Sequence, residues 1–583
     1  MRSLGRFLVD RGGWLALATL VLYAWIAPPH IVTGDGAEFS TLGTTGGIAH
    51  PSGYPAYLMW LRAWSWLPVS PAHSAALATA VLGALVVLVL HAACRAWGAR
   101  PVAASLAVAL FASGPVVLRV STSAEVFAPN NLVAALVLWL AADKAPLRGP
   151  RRLAALGLVA GVGLGNHLTC VLVAPIGIYG AIRGVREAPR AALAIAAGVG
   201  ALVLGLATYA YALVTPDTWA SWGKVHDFSE LAHHFLREDY GGATAFSEAG
   251  VAIPFSDNVV ALAVMLGRNY LWVFAIAAIV ALAHAIARPA AETRTAWIVF
   301  GASWLLAGPV LASRFDIHLD GPNLYIVQRF HLLPALLLAV PLAVGFDRIA
   351  DKLPVRSERA WLQALLPVVA LLAITSQRLS ELSRVQTPAL EQGLRNTLGS
   401  LPPNAIVFSA NNDAHFGIGY LQGALEMRRD VVWITTQQLW LAQYRARISK
   451  RSGIAIDAMD RSRSINVPFA ERALASGRAV FIDQYQEAIA KTFPIYPYGI
   501  LFRVLPKGTP LPSIDELFAL NKKLFEGFAF GYPTPGPHDD EATMMHVLYT
   551  RPWHIIADAL SKQGRREDYE YAMKMALALA PGD

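Results

Sequence analysis

Long apolar runs constrain this chain more than any other feature. A spanning helix needs about 20 predominantly apolar residues. Eleven candidate runs occur, near 12–29, 72–94, 101–118, 126–142, 152–167, 168–184, 191–214, 264–287, 295–313, 331–348 and 360–376. Of 583 residues, 55% are hydrophobic and 15% charged, whereas a soluble domain carries roughly 25% charged residues. The expectation is a polytopic α-helical membrane protein with some soluble mass.

The net charge of +8 is read by position. Arg2, Arg6, Arg11, Arg95, Arg100, Lys144, Arg148, Arg151, Arg152, Arg183, Arg186, Arg190, Arg288, Arg294, Arg348, Lys352, Arg356 and Arg359 fall in every second loop. The alternate loops hold far fewer, namely Arg62, Arg119, Lys224, Arg237, Arg268, Arg314 and Arg329. That alternation is a membrane-orientation signal and does not mark a nucleic-acid surface. The positive-inside rule puts the N-terminus in the cytoplasm. Eleven spans then put the C-terminus outside, with the loops at 30–71 and 215–260. A bacterial inner membrane with the tail on its periplasmic side is the expected home. The first run lacks a small-residue cleavage site and reads as a retained helix. Cys94 and Cys170 suggest neither a disulfide framework nor a metal motif.

Three domains are expected: a membrane domain at 1–378, an α/β domain at 379–542 and a helical end at 543–583. In the tail, N-A-I-V-F-S-A, D-V-V-W-I-T-T, R-A-V-F-I-D and I-L-F-R-V-L are short β-branched and aromatic runs between helical stretches. They read as strands of an α/β sheet. Residues 543–580 read as two helices around K-Q-G-R-R, like one tetratricopeptide-type unit.

The chemistry-bearing residues cluster outside the runs. Asp35 and Glu38 follow the first run directly, and a helical turn puts them on one face. Acid–base work needs a carboxylate within hydrogen-bond reach of the proton it takes. The same spacing suits Asp35 as N-cap of a helix at 36–45, with Glu38 completing a capping box. His50, in A-H-P-S-G-Y-P, either meets a phosphate or orients the acidic pair, or is a loop histidine beside a rigid turn. Tyr54 suits a site or an interfacial aromatic belt. Glu125 and the pair Asn166 and His167 sit at outward turns. Glu125 serves a site or is a solvated carboxylate at a helix end; Asn166 and His167 serve a site, as buried polar groups among membrane helices tend to, or are structural. Arg329, before the tenth run, suits a bidentate phosphate clamp or a snorkelling role, with His331 as a weaker partner. Trp222, His233, Arg237 and Tyr240 suit sugar or headgroup contacts, or an interfacial helix. No Walker A motif or sustained dinucleotide fingerprint occurs. No cofactor is expected, and metal dependence is left open.

Several motifs resemble a known family. G-D-G-A-E-F followed by G-I-A-H-P-S-G-Y-P is similar to the signature of the DUF2723 proteins, glycosyltransferase family 117, related to eukaryotic protein O-mannosyltransferases. Further likeness lies in A-E-V-F-A-P-N-N at 124–131, G-L-G-N-H-L-T at 163–169, W-G at 222–223, H-H-F-L-R-E-D-Y-G at 233–241 and N-N-D-A-H-F-G-I-G-Y-L-Q at 411–422. The chain has G-D-G-A-E where a serine- or alanine-centred G-D-[SA]-G-E is expected, and both carboxylates remain. The resemblance implies a GT-C fold and an enzyme taking a sugar from a polyprenyl-phosphate donor on the outer membrane face. It implies Asp35 as general base and Glu38 as its acidic neighbour. The implied partners are membrane lipid, the polyprenyl-phosphate sugar and a protein or glycan acceptor, without nucleic acid. Two other classes fit the composition: a transporter or flippase of a lipid-linked substrate, and a non-catalytic scaffold.

Overall fold

In the computed structural model each of the eleven apolar runs lies on helix. The structure describes residues 12–242, 251–289, 291–351, 360–456, 465, 467–536 and 541–582. Arg2, Arg6, Arg11, Lys352, Arg356, Arg359 and residues 243–250 of the long loop lie outside the described residues. The chain does not divide at a single point near 379. It forms one unit from Met1–Pro29, Ile48–Thr215 and Val225–Leu382, and a second from His30–Gly47, Pro216–Lys224 and Ser383–Asp583.

The first unit is helical. Among the described residues of the chain, four helices are long and apolar enough to cross a membrane unaided: Pro71–Ala96, Leu168–Arg186, Ala191–Val214 and Leu332–Ala350. Counting each bent pair as one span raises the number to seven. Two runs expected as straight spans are bent. The run at 101–118 turns by 75° between Pro101–Ala112 and Pro115–Thr122, because Pro115 has no N–H to continue the ladder. The run at 264–287 turns by 109° between Phe255–Asn269 and Val273–Ala287. Leu271 and Trp272 sit there at φ 55° and 56°, which no helix accommodates. The helices Gly149–Leu164 and Ala191–Leu206 touch backbone to backbone: a Cβ on Gly157 would lie 2.1 Å from the Gly198 carbonyl oxygen, and one on Gly161 would lie 2.3 Å from that of Leu202. Small residues permit such approach where lipid supplies no hydrophobic drive.

The second unit is built on a five-stranded sheet. Its strands are β1 (Ile406–Ser409), β2 (Val432–Thr435), β3 (Val480–Ile482), β4 (Ile495–Tyr498) and β5 (Leu501–Val504), in the order β2-β1-β3-β5-β4. β1 is parallel to both β2 and β3, whereas β5 is antiparallel to β3 and β4. Ile406, Phe408, Ile434, Val480, Ile482 and Val504 centre its core. β4 carries no clear strand signal in the sequence, because Pro494 and Pro497 interrupt P-I-Y-P-Y. Proline is tolerated at a sheet edge, where β4 lies. Helices Glu541–Lys562 and Arg566–Leu579 pack as a pair around Gly564 at φ 70°.

The segment 30–47 joins this second unit for a physical reason. Ile31, Val32, Phe39 and Leu42 are all buried, and helix Gly36–Thr45 packs on helix Asn412–Gly423. The first outward loop therefore does not belong whole to a membrane domain at 1–378: it changes unit between Gly47 and Ile48.

Candidate functional site

The acidic motif lies in the second unit. Gly34 takes φ +99°, a conformation open to glycine, and the chain then enters helix Gly36–Thr45. Asp35 is half-buried with φ −76° and ψ −6°, and its side chain makes no capping hydrogen bond. The capping box allowed by the spacing is therefore not formed. An N-cap needs extended backbone, and Asp35 is already helical. Glu38, one turn on, is buried. Bonds to residues of the tail hold the approach to Asp35. His30 Nε2 lies 3.1 Å from the Gln386 carbonyl oxygen. The Ile31 amide donates to Glu391 Oε2 at 3.0 Å, and the Gly34 amide donates to Asp413 Oδ1 at 3.1 Å.

Asp413 opens helix Asn412–Gly423, whose N-cap Asn411 accepts from the Asp413 and Ala414 amides. His415 Nδ1 lies 2.6 Å from Thr435 Oγ1 at the end of β2. Burial, then the charge of Arg447, pushes the His415 pKa down to about 4. Trp222 is half-buried in the segment 216–224 of the same unit. Arg447 Nη1 donates to the carbonyls of Thr218 and Trp219 at 3.2 and 2.8 Å. Gln443 meets both the amide and the carbonyl of Lys224.

The first unit gathers the other candidates. The Tyr54 hydroxyl lies 3.1 Å from His50 Nε2, and the Tyr54 ring stacks on His167 at 5.9 Å. Tyr240 meets His50 edge-on at 6.4 Å, and Arg237 lies over Tyr240 at 5.5 Å. His167 Nδ1 is 2.7 Å from Thr169 Oγ1, and Asn166 donates to the Val126 carbonyl at 3.1 Å. Phe127 and Phe330 flank His167 at 5.0 and 5.8 Å. Arg329 follows over Phe127 at 5.4 Å. Its Nη1 donates to Glu125 Oε1 and Oε2 at 3.0 and 3.2 Å, and both residues are buried. The Tyr325 hydroxyl donates to Glu125 Oε1 at 3.2 Å, and Arg119 lies 3.4 Å over the Tyr325 ring. Glu125 and Arg329 are thus a pair, which separate readings of a solvated carboxylate and a snorkelling arginine do not anticipate.

Two candidates fall outside this gathering among the described residues. His331 is buried at the break before helix Leu332–Ala350, and neither ring nitrogen makes a hydrogen bond there. His233 points to the surface, with Glu238 at 2.7 Å and Asp239 at 2.9 Å. The hydrogen bond with Asp239 raises its pKa.

The working histidine of that helix is His234. It is buried, and its Nε2 donates to the Ala49 carbonyl at 3.0 Å, holding the strand of chain that leads to His50. The i, i+3 spacing of Leu231 and His234 carries the signal: Leu231 packs with Ile48 and Val225, so His234 shares the inward face. Burial pushes its pKa down to about 4 from 6.5. Between those values the unfolded chain binds a proton that the folded chain refuses. Stability from a neutral His234 is therefore complete above pH 6.5 and is lost as pH falls toward 4. The loss should reach at most ~3 kcal/mol. His234→Gln keeps an N–H donor and cannot titrate there. Thermal melts between pH 7 and 4 should show a shallower acid decline for this variant. An unchanged slope would remove His234 as a contributor. Among the described residues no group of three or more His, Cys, Asp or Glu side chains is arranged to hold a metal ion.

The family model of the protein O-mannosyl-transferase TMEM260 N-terminal domain matches residues 35–186, beginning at Asp35. The Dictyostelium discoideum protein O-mannosyl-transferase tmem260 is 22% identical over 260 residues, covering 41% of this chain and 32% of that protein. The Mus musculus protein O-mannosyl-transferase TMEM260 is 24% identical over 472 residues, covering 76% of this chain and 64% of that one. The chain thus spans less than two thirds of either relative. Among solved structures, ArnT from Cupriavidus metallidurans bound to undecaprenyl phosphate aligns with a TM-score of 0.53 at 14% identity, over 86% of this chain and 98% of that one. Its apo state aligns at 0.51 and 13% identity, over 86% and 99%. In sequence the chain is similar to protein O-mannosyl-transferases, and its fold is the polytopic helical membrane fold of the GT-C type that it shares with ArnT.

Proposed function

We propose that this integral membrane protein transfers a sugar from a polyprenyl-phosphate carrier to an acceptor hydroxyl, on the exterior face and with inversion. One observation carries the reading: Asp35 stands at the start of a packed helix directly after the first apolar run, with Glu38 one turn on, and the family model begins there. The Asp35 carboxylate takes the proton of the acceptor hydroxyl. The acceptor oxygen attacks the anomeric carbon as the bond from that carbon to the phosphate oxygen breaks. The carrier phosphate leaves with the electron pair, and the proton stays on Asp35. Arg329, His50, His167 and Asn166 serve the carrier phosphate. Glu125 orients a guanidinium that carries five N–H donors. Tyr54 and Tyr240 supply the polar and ring surface around His50. The relatives' names support mannose and a protein Ser or Thr acceptor, and the undecaprenyl phosphate bound by ArnT supports the carrier.

The test is turnover of a panel of undecaprenyl-phosphate sugars with Ser- and Thr-containing peptides, with the product anomer read by NMR. Transfer from the mannosyl donor with an inverted anomeric centre is expected. Movement of intact donor across the bilayer without cleavage would replace the reading with a transporter.

The proposed topology has eleven crossings, with the N-terminus inside and the tail outside. Cys94 and Cys170 are buried. A membrane-impermeant thiol reagent applied outside should therefore modify Ser476→Cys and spare Arg151→Cys, both exposed positions. The reverse pattern would invert the orientation.

A further inference from the structure

We infer that Asp413 is a positioning residue for Asp35, acting through the Gly34 amide. The inference rests on the proposed role of Asp35 as base, and it assigns the tail a part in placing that base. Asp413 Oδ1 accepts the Gly34 amide at 3.1 Å, one residue before Asp35. Gly34 at φ +99° fixes where that amide points, so its acceptor sets the path of the chain into helix Gly36–Thr45.

Asp413 is itself held. Asn411 Oδ1 accepts its amide at 2.9 Å, and Ser409 Oγ accepts the Asn411 amide at 3.2 Å. Ser409 Oγ in turn donates to Asp483 Oδ2 at 2.6 Å, at the end of β3. The line from Asp483 through Ser409, Asn411 and Asp413 to Gly34 thus ties Asp35 to the carboxyl ends of β1 and β3. Ligand-directing groups gather at such ends in open α/β sheets. Side-chain packing backs the bonds: a Cβ on Gly417 would lie 3.3 Å from Ile31 Cδ1, and one on Gly423 would lie 3.0 Å from Thr41 Cγ2. The segment is therefore held at both ends against helix Asn412–Gly423. Small displacements of a reacting group cost heavily, about 100-fold for 1 Å.

The test uses the full-length protein, radiolabelled undecaprenyl-phosphate mannose and a Ser/Thr peptide. Asp413→Asn keeps an acceptor oxygen in place without the charge, whereas Asp413→Glu keeps the charge and moves the oxygen by one methylene. Asp413→Asn should stay within about threefold of the parent kcat. Asp413→Glu and Asp413→Ala should lose about tenfold or more in kcat, with donor KM within about twofold. Added to Asp35→Asn, Asp413→Ala should cost less than about twofold, because a residue acting only through Asp35 has nothing left to position. Equal losses for Asp413→Asn and Asp413→Glu, or a full further loss in the Asp35→Asn background, would overturn the inference. If Asp413→Ala does not fold, the Asn and Glu variants decide alone. Wild-type turnover by Asp35→Asn is a different failure, since it removes the base itself whatever the Asp413 variants do.

Discussion

Asp35→Asn should lower turnover by about 10²–10⁴-fold, the usual cost of losing a general base. The substitution is nearly isosteric and keeps a side-chain oxygen where the carboxylate had one. Melting temperature and donor affinity should therefore stay close to the parent. Glu38→Gln is the paired control. Glu38 is buried on the same helix, so its replacement tests whether a second carboxylate shares the proton. A loss confined to Asp35→Asn assigns the base. Full activity in Asp35→Asn with loss in Glu38→Gln would move the role one turn along the helix.

The parts of this fold set by local pattern were legible in the sequence. Helix over each apolar run follows from run length and the backbone's need for internal hydrogen bonds in lipid. β1, β2, β3 and β5 follow from compact β-branched and aromatic runs, which β4 lacks at Pro494 and Pro497. The bend before Val273 depends on two left-handed residues, Leu271 and Trp272, that carry no glycine or proline signal. Long-range pairing was illegible for a different reason. Gly34 and Asp413 are 379 residues apart, and Glu125 and Arg329 are 204 apart. Nothing in either local sequence names the partner. His50, Tyr54, His167 and Tyr240 could be selected one by one as polar groups beside apolar runs. Their ring contacts arise only once the helices pack.

Breaking the Glu125–Arg329 pair separates its two possible duties. Both side chains are buried, and Nη1 of Arg329 meets both carboxylate oxygens. Removing either partner takes away this buried, hydrogen-bonded ion pair, and breaking such a pair costs about 3–5 kcal/mol. Arg329→Ala and Glu125→Ala should each therefore melt well below the parent. Replacing both together, as Glu125→Leu with Arg329→Met, removes the charges and keeps apolar volume, and such exchanges are often neutral. The double variant should recover most of the stability. Its donor binding is the informative measurement. If Arg329 serves the carrier phosphate, the refolded double variant still binds undecaprenyl-phosphate mannose weakly, and Arg329→Lys also binds weakly, because an ammonium cannot reproduce the planar fork. If the double variant binds donor as the parent does, the pair only braces the helices. The phosphate site would then shift toward His50 and His167, whose rings flank Tyr54 on the same unit.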